Sequence, residues 1–201
     1  MMPYTIKPLG CDPARVKGMS ERLIVSHYEN NYCGAVKRLN LIEEQLAEVD
    51  YAKASGFLIS GLKREELIAM NSMILHELFF EGLGDQSEPG LPLRSAIVRD
   101  FGTYERWRSE FIGMGKALAG GSGWVLLSCS GRDRKLVNQW ASDHCHTLAG
   151  GTPIVALDMY EHSYHIDFGA KAGSYVDAFM GALRWDRADR LFRELTLARE
   201  S

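Results

Sequence analysis

Trp124-Val125-Leu126-Leu127-Ser128-Cys129 is the stretch on which the fold turns. It is an apolar run of strand length, entered through Gly120-Gly121-Ser122-Gly123, where helical spacing stops. Gly131-Arg132-Asp133 then makes a turn and Leu136–Ala141 returns, so the two runs read as a hairpin. Pro153–Leu157 fits a third strand.

On either side the spacing is helical. Ser20 is an N-cap candidate for a long helix to about Val49, along which Leu23, Ile24, His27, Val36, Leu39, Ile42 and Leu46 recur at helical intervals. A second helix fits Leu62 to about Gly82, with Glu65 and Glu66 in its first turns and Gly82 and Gly84 near its end. Two long helices joined by a short connection imply an antiparallel hairpin. Pro3, Pro8 and Pro13 leave residues 1–19 irregular. Residues 83–92 are a linker candidate, short helices fit 92–100 and 104–119, and Tyr175–Leu183 and Arg187–Leu197 close the chain as helices. The order is helices, a small antiparallel sheet, then helices.

At 201 residues the chain makes one or two domains. Its 46% hydrophobic and 24% charged residues suit a globular protein with a sizeable core. A net charge of −3, from 23 basic and 26 acidic residues, argues against a nucleic-acid binder. No apolar run approaches the roughly 18 residues of a membrane span. The start, Met1 to Lys7, has no apolar signal region, so a cytoplasmic location is expected. Cys11, Cys33, Cys129 and Cys145 show no C-x-x-C spacing and read as reduced thiols.

The chemistry rests on histidine. His27 and His76 sit mid-helix on apolar stripes, one on each arm of the hairpin, so the hairpin can bring them face to face. Asp158 and His162 lie four apart just after the third strand and can turn toward one point. Three histidines and one carboxylate suit a first-row metal such as Fe or Mn, but imidazole also suits other metals. The residues alone leave redox metal, zinc and plain core histidines open. There is no P-loop, no H-E-x-x-H and no G-x-S-x-G, and Gly113-Met114-Gly115 lacks the strand and third glycine of a dinucleotide loop.

Asp158-Met159-Tyr160-Glu161-His162-Ser163-Tyr164 resembles the D-x-W-E-H-A-Y signature of the iron/manganese superoxide dismutases. His27-Tyr28, followed by Val36, Leu39 and Asn40, resembles that family's first-helix pair. His76 with Phe79 is similar to its second-helix histidine, Gly121-Ser122-Gly123-Trp124 to its G-S-G-W, and Arg184-Trp185-Asp186 to its late N-W-[DE]. The resemblance implies an α+β fold: an N-terminal antiparallel helical hairpin domain, residues 1–88, then an α/β domain with a three-stranded antiparallel sheet, residues 89–201. It implies one Fe or Mn ion per subunit, ligated by His27, His76, Asp158 and His162 with solvent as a fifth ligand. The implied reaction oxidises one superoxide to dioxygen and reduces the next to hydrogen peroxide. The alternatives are an Fe/Mn-dependent oxygenase or peroxide-using enzyme on the same scaffold, and a non-catalytic metal-binding relative.

The chain also departs from the family pattern. Ala35 stands where the family has a gating tyrosine, Asn31 where it has a histidine, Tyr160 for the tryptophan of D-x-W, and Phe80 for another tryptophan. Ser72 and His144 occupy the two positions from which a glutamine reaches the metal-bound solvent. His144, Tyr28 and Tyr160 are therefore the expected catalytic side chains beyond the ligands, with Tyr32 a second source of a phenol. Asn30 and Ala172 replace the family's lysine and arginine at the anion funnel, with Lys171 one place off. The implied partner is a second copy, a homodimer with reciprocal Glu161–His162 and Asn31–His165 contacts.

Overall fold

The computed structural model describes residues 2–197. β1 (Trp124–Ser130) is the central strand of a three-stranded antiparallel sheet, with β2 (Leu136–Ala141) on one side and β3 (Gly151–Asp158) on the other. The strand expected at Pro153–Leu157 thus extends by two residues at its start and by Asp158 at its end. Trp124 pairs with Ala141 across one ladder and with Asp158 across the other, so the entry to β1 lies beside the end of β3. The β1–β3 register shifts between Leu127 and Ser128, where the partner changes from Val155 to Pro153. Proline has no N–H for the ladder and is tolerated on such an edge strand.

Gly123 is fixed by geometry. Its φ is +134°, and a Cβ there would stand 2.1 Å from the Ala141 carbonyl oxygen. Its own carbonyl accepts from the Met159 N–H at 2.9 Å, which ties the start of β1 to the residue after Asp158.

The first long helix is capped as expected, with Ser20 Oγ accepting from Leu23 N–H at 3.1 Å. It is not one continuous α-helix. α1 (Glu21–Ser26) passes into a π-helical turn, His27–Tyr32, before α2 (Cys33–Ala47) resumes. In the turn the Cys33 N–H reaches back five residues to the Tyr28 carbonyl, and the Asn30 amide donates to the Ser26 carbonyl at 2.9 Å. α3 (Gly56–Glu81) starts six residues before the expected Leu62, because Ser55 caps it through Leu58 N–H. Its first turns carry Gly56, Gly61 and the exposed Phe57 and Leu58, which mask the helical pattern. α4 (Leu91–Phe101) and α5 (Tyr104–Ala117) follow the linker. After β3 come α6 (His165–Phe168), α7 (Ala172–Ala182), three residues earlier than expected, and α8 (Asp186–Leu197).

α2 and α3 form the antiparallel hairpin, and α3 also packs against β3. Leu23, Leu39 and Phe79 of the helical arms share one apolar core with Trp124, Leu126 and Leu157 of the sheet. Each such fully buried side chain contributes about 1.5–3 kcal/mol. α3 against β3 is the contact that positions the site, since His76 and Asp158 stand on its two sides. Among the described residues no helix is long and apolar enough to cross a membrane, and the four cysteines are free.

Candidate metal centre

Four side chains from four elements converge on one point. His27 opens the π-helical turn, His76 lies on α3, Asp158 ends β3, and His162 lies in a single 3₁₀ turn, Glu161–Ser163. One nitrogen or oxygen from each falls within 4.8 Å of all the others. Asp158 Oδ2 is 3.1 Å from His27 Nε2, 3.2 Å from His162 Nε2 and 3.4 Å from His76 Nε2. Two ligands each about 2.0–2.2 Å from a shared first-row ion are separated by this order of distance. His27, His76 and Asp158 are buried, and His162 is the one member partly open to solvent.

Surrounding bonds fix the orientation of Asp158 and His76, while His27 and His162 bond to the Asp158 carboxylate. Tyr160 N–H donates to Asp158 Oδ1 at 2.8 Å, which leaves Oδ2 for the three imidazoles. The Asp158 carbonyl accepts from the Ser163 and Tyr175 hydroxyls at 2.9 and 2.8 Å, pinning the strand end. His76 Nδ1 donates to the Ser72 carbonyl at 2.7 Å, so its proton sits on Nδ1 and the Nε2 lone pair faces the cluster. That Nε2 is buried with no hydrogen-bond partner. A buried acceptor nitrogen facing a carboxylate oxygen is satisfied by a cation between them.

The electrostatics agree. Burial pushes His27 down, against the pull of Asp158, and drives His76 down to about 3. Both imidazoles are therefore neutral. Burial opposes ionisation of Asp158, but the side-chain hydrogen bonds from His162 and His27 overcome it and hold the carboxyl well below the usual carboxylate range. Neutral imidazoles and one carboxylate are the forms that ligate a metal.

Above the cluster opens a pocket of about 280 Å³. Its wall includes Asn31, Ala35, Arg38, Ser72 and His144, with His76 and His162 below. His144 is held on three sides. Trp124 Nε1–H donates to its Nδ1 at 3.0 Å, Asn71 Nδ2 donates to its carbonyl at 2.6 Å, and Tyr160 stacks on its ring at 4.7 Å between centroids. Burial lowers the His144 pKa, and a neutral ring that accepts at Nδ1 carries its proton on Nε2. Tyr160 also stacks on His162 at 5.4 Å, and burial, then the Asp158 charge, push its phenol up to about 12.

Not every expected residue joins this group. The Tyr28 hydroxyl donates to the Lys7 carbonyl at 2.7 Å. Tyr32 accepts from Lys7 N–H at 2.9 Å and donates to Glu77 at 3.1 Å. Both phenols hold the N-terminal segment, next to Phe80, and neither lines the pocket. Tyr28, expected to supply the missing phenol, is thus not brought to the pocket, its hydroxyl being engaged by Lys7. Ser72 meets His76 mainly through its carbonyl, with its hydroxyl 3.3 Å from the same nitrogen. Asn30 also lines the pocket, Lys171 does not, and Glu161 and His165 are exposed beside His162. Sequence reading missed Asn71 and Arg38. Arg38 falls three residues after Ala35 and seven after Asn31, a helical-face spacing that would have found it.

Comparison with known proteins gives this geometry its context. Residues 89–191 match the family model of iron/manganese superoxide dismutases, C-terminal domain. The chain is 66% identical to a protein named superoxide dismutase [Fe] from Cupriavidus metallidurans, over 95% of this chain and 97% of that one. It is 35% identical to superoxide dismutase [Mn] 1 from Halobacterium salinarum, over 96% and 97%. It is 31% identical to superoxide dismutase [Fe] from Aquifex pyrophilus, over 94% and 91%.

Proposed function

As this chain belongs to the iron/manganese superoxide dismutases, we propose that it disproportionates superoxide at one Fe or Mn ion per subunit held by His27, His76, Asp158 and His162. The observation that carries the ligand assignment is the unpartnered His76 Nε2, buried and 3.4 Å from Asp158 Oδ2. Iron is favoured by the 66% identical relative, whose name specifies Fe. Bound there, the ion would supply one-electron cycling, by which one superoxide is oxidised to dioxygen and the next takes up the electron and two protons from solvent to give hydrogen peroxide.

The chain's own residues do the rest. The Ser72 carbonyl fixes the His76 tautomer, and Tyr160 N–H aims the Asp158 carboxylate. His144 takes the place of a side-chain amide: Nδ1 accepts from Trp124 as an amide oxygen would, and Nε2–H is left as the donor on the pocket side. Tyr160 holds that ring by stacking between His144 and His162. It acts as a positioning residue.

The proposal includes a cytoplasmic homodimer, divided into a hairpin domain at 1–88 and a sheet domain at 89–201. Its two-fold interface would pair Glu161 with His162 and Asn31 with His165 of the second copy. Support comes from Glu161, exposed on the turn that carries His162, and His165, exposed at the start of α6 just after it. Glu161→Ala should shift the protein toward monomer in sedimentation, and an unchanged dimer would remove that pairing.

The deciding experiment is metal analysis of natively purified protein, with superoxide disproportionation assayed on the same sample. Near-stoichiometric Fe or Mn, with activity proportional to occupancy, is the expected result. A filled site without dismutation would overturn the proposed reaction, and zinc or no metal would overturn the proposed cofactor.

A further inference from the structure

We propose that Arg38 is the cation that draws the anionic substrate into the pocket above the metal centre, and that Glu65 tempers its pull. The proposal rests on the dismutase reading for the identity of the anion.

Of the side chains that line the pocket, Arg38 alone carries a permanent charge. The other polar members are Asn30, Asn31, Ser72 and His144, which are amides, a hydroxyl and an imidazole whose pKa burial lowers, and the cluster histidines His76 and His162 at the base. Arg38 and Ala35 lie three apart on α2 and both line the pocket, so the cation shares a helix face with the short side chain that stands where the family has a tyrosine. Lys171, the other cation near the expected funnel, is outside the wall.

Glu65 supplies the counter-charge. It lies on α3, eleven residues before His76, as Arg38 lies eleven after His27, so the antiparallel hairpin sets them opposite each other. Arg38 Nη2 pairs with Glu65 Oε2, and Glu65 does not line the pocket. The ion pair is thus polarised, its positive end facing the cavity and its negative end outside. Arg38 is 59% exposed, so the pair is solvated and its partners are not locked together. The remaining N–H groups of the guanidinium have no other hydrogen bond among the described residues.

A local cation matters more on a chain of net charge −3, which repels an anion at long range. The Debye length is about 30 Å at 0.01 M salt and about 8 Å at physiological salt, so the field of an exposed guanidinium reaches far into solvent only when salt is low. Steering by Arg38 therefore belongs to low ionic strength.

The test is kcat/KM for superoxide of the metal-loaded protein across ionic strength, alongside azide titrations followed by absorbance. At about 10 mM salt, Arg38→Gln should lower kcat/KM roughly three- to tenfold, with the gap closing to less than about twofold at high salt. Arg38→Lys should keep at least about half the rate, and Glu65→Gln should raise it about twofold. Azide affinity should fall in Arg38→Gln and rise in Glu65→Gln. Opposite signs from the two partners are what a merely structural ion pair would not give. The proposal is overturned if Arg38→Gln keeps the parental rate and salt slope. It is equally overturned if both neutral variants lose rate together with thermal stability, by a factor that salt does not change. Should the loaded protein not dismutate superoxide at all, the dismutase reading falls, and the azide titrations still decide the role of Arg38.

Discussion

The floor of the site and its roof are built on opposite terms. The floor, His27, His76, Asp158 and His162, is almost wholly buried, and each member is oriented by a backbone bond or by the carboxylate they share. The roof, Asn31, Ala35, Arg38, Ser72 and His144, faces a pocket and is mostly polar, with Ala35 and Ser72 buried, Asn31 and His144 half-buried and Arg38 exposed. It departs from the family pattern at Asn31, Ala35 and His144, where the floor does not depart at all. The floor admits few solutions, because buried atoms must all be satisfied at once. The roof admits many, because water satisfies whatever a side chain leaves unmade.

The largest expected effect breaks the floor. Asp158→Ala removes the anion that the three imidazoles share and should cut metal content below about a tenth. Metal content at the parental level, measured by mass spectrometry, would show that the convergence is not a metal site. Next is the roof. His144→Leu should lower kcat about 10- to 100-fold at near-parental metal content. His144→Gln should recover most of it, since an amide can accept from Trp124 and donate into the pocket. A Gln variant as slow as the Leu variant would remove the donor role.

The pH response of metal-stripped protein should report the lowered histidines, His27 and His76 of the floor and His144 of the roof. His27 and His76 have folded pKa values below those of the unfolded chain, the latter at about 3. Below about 6.5 the unfolded chain therefore binds more protons than the fold. Stability should be full above that pH and fall as acid is added, by up to about 1.4 kcal/mol per pH unit for each histidine. Asp158 adds its own loss only at lower pH, as the medium passes below the ordinary carboxylate range and then through its depressed folded value. Urea midpoints between pH 7.5 and 5 check this, and a flat profile would contradict it. The smallest effect belongs to neither region. Tyr28→Phe should cost about 1 kcal/mol of stability through the lost bond to Lys7 and change kcat less than about twofold. A tenfold loss of kcat would return the phenol to the chemistry.

The same contrast explains what could be read without coordinates. The sheet was legible because Gly123, the apolar run from Trp124 and the turn at Gly131 each have one structural use. The four floor residues were legible as a possible cluster from type and place, two histidines mid-helix and an Asp–His pair at a strand end. Their ligand role came from the family resemblance. The π-helical turn was not legible, since His27–Tyr32 contains nothing that an α-helix forbids. That turn changes the helical phase of α2, so which of Tyr28, Tyr32 and Ala35 meets the site depends on it. The early start of α3 was hidden by exposed Phe57 and Leu58, whose apolar character carries no burial signal. Asn71 was invisible because its partner is a backbone carbonyl 73 positions away.

The buried floor also has a consequence for time. Its groups come from residues 27, 76, 158 and 162, so an ion held there closes two long loops of chain at once. With three of the four side chains sealed from solvent and His162 beneath the pocket, an ion held as proposed would shed His27, His76 and Asp158 only through a local opening of α3 and the π-helical turn from β3. Its exchange would then be timed by that opening as well as by affinity.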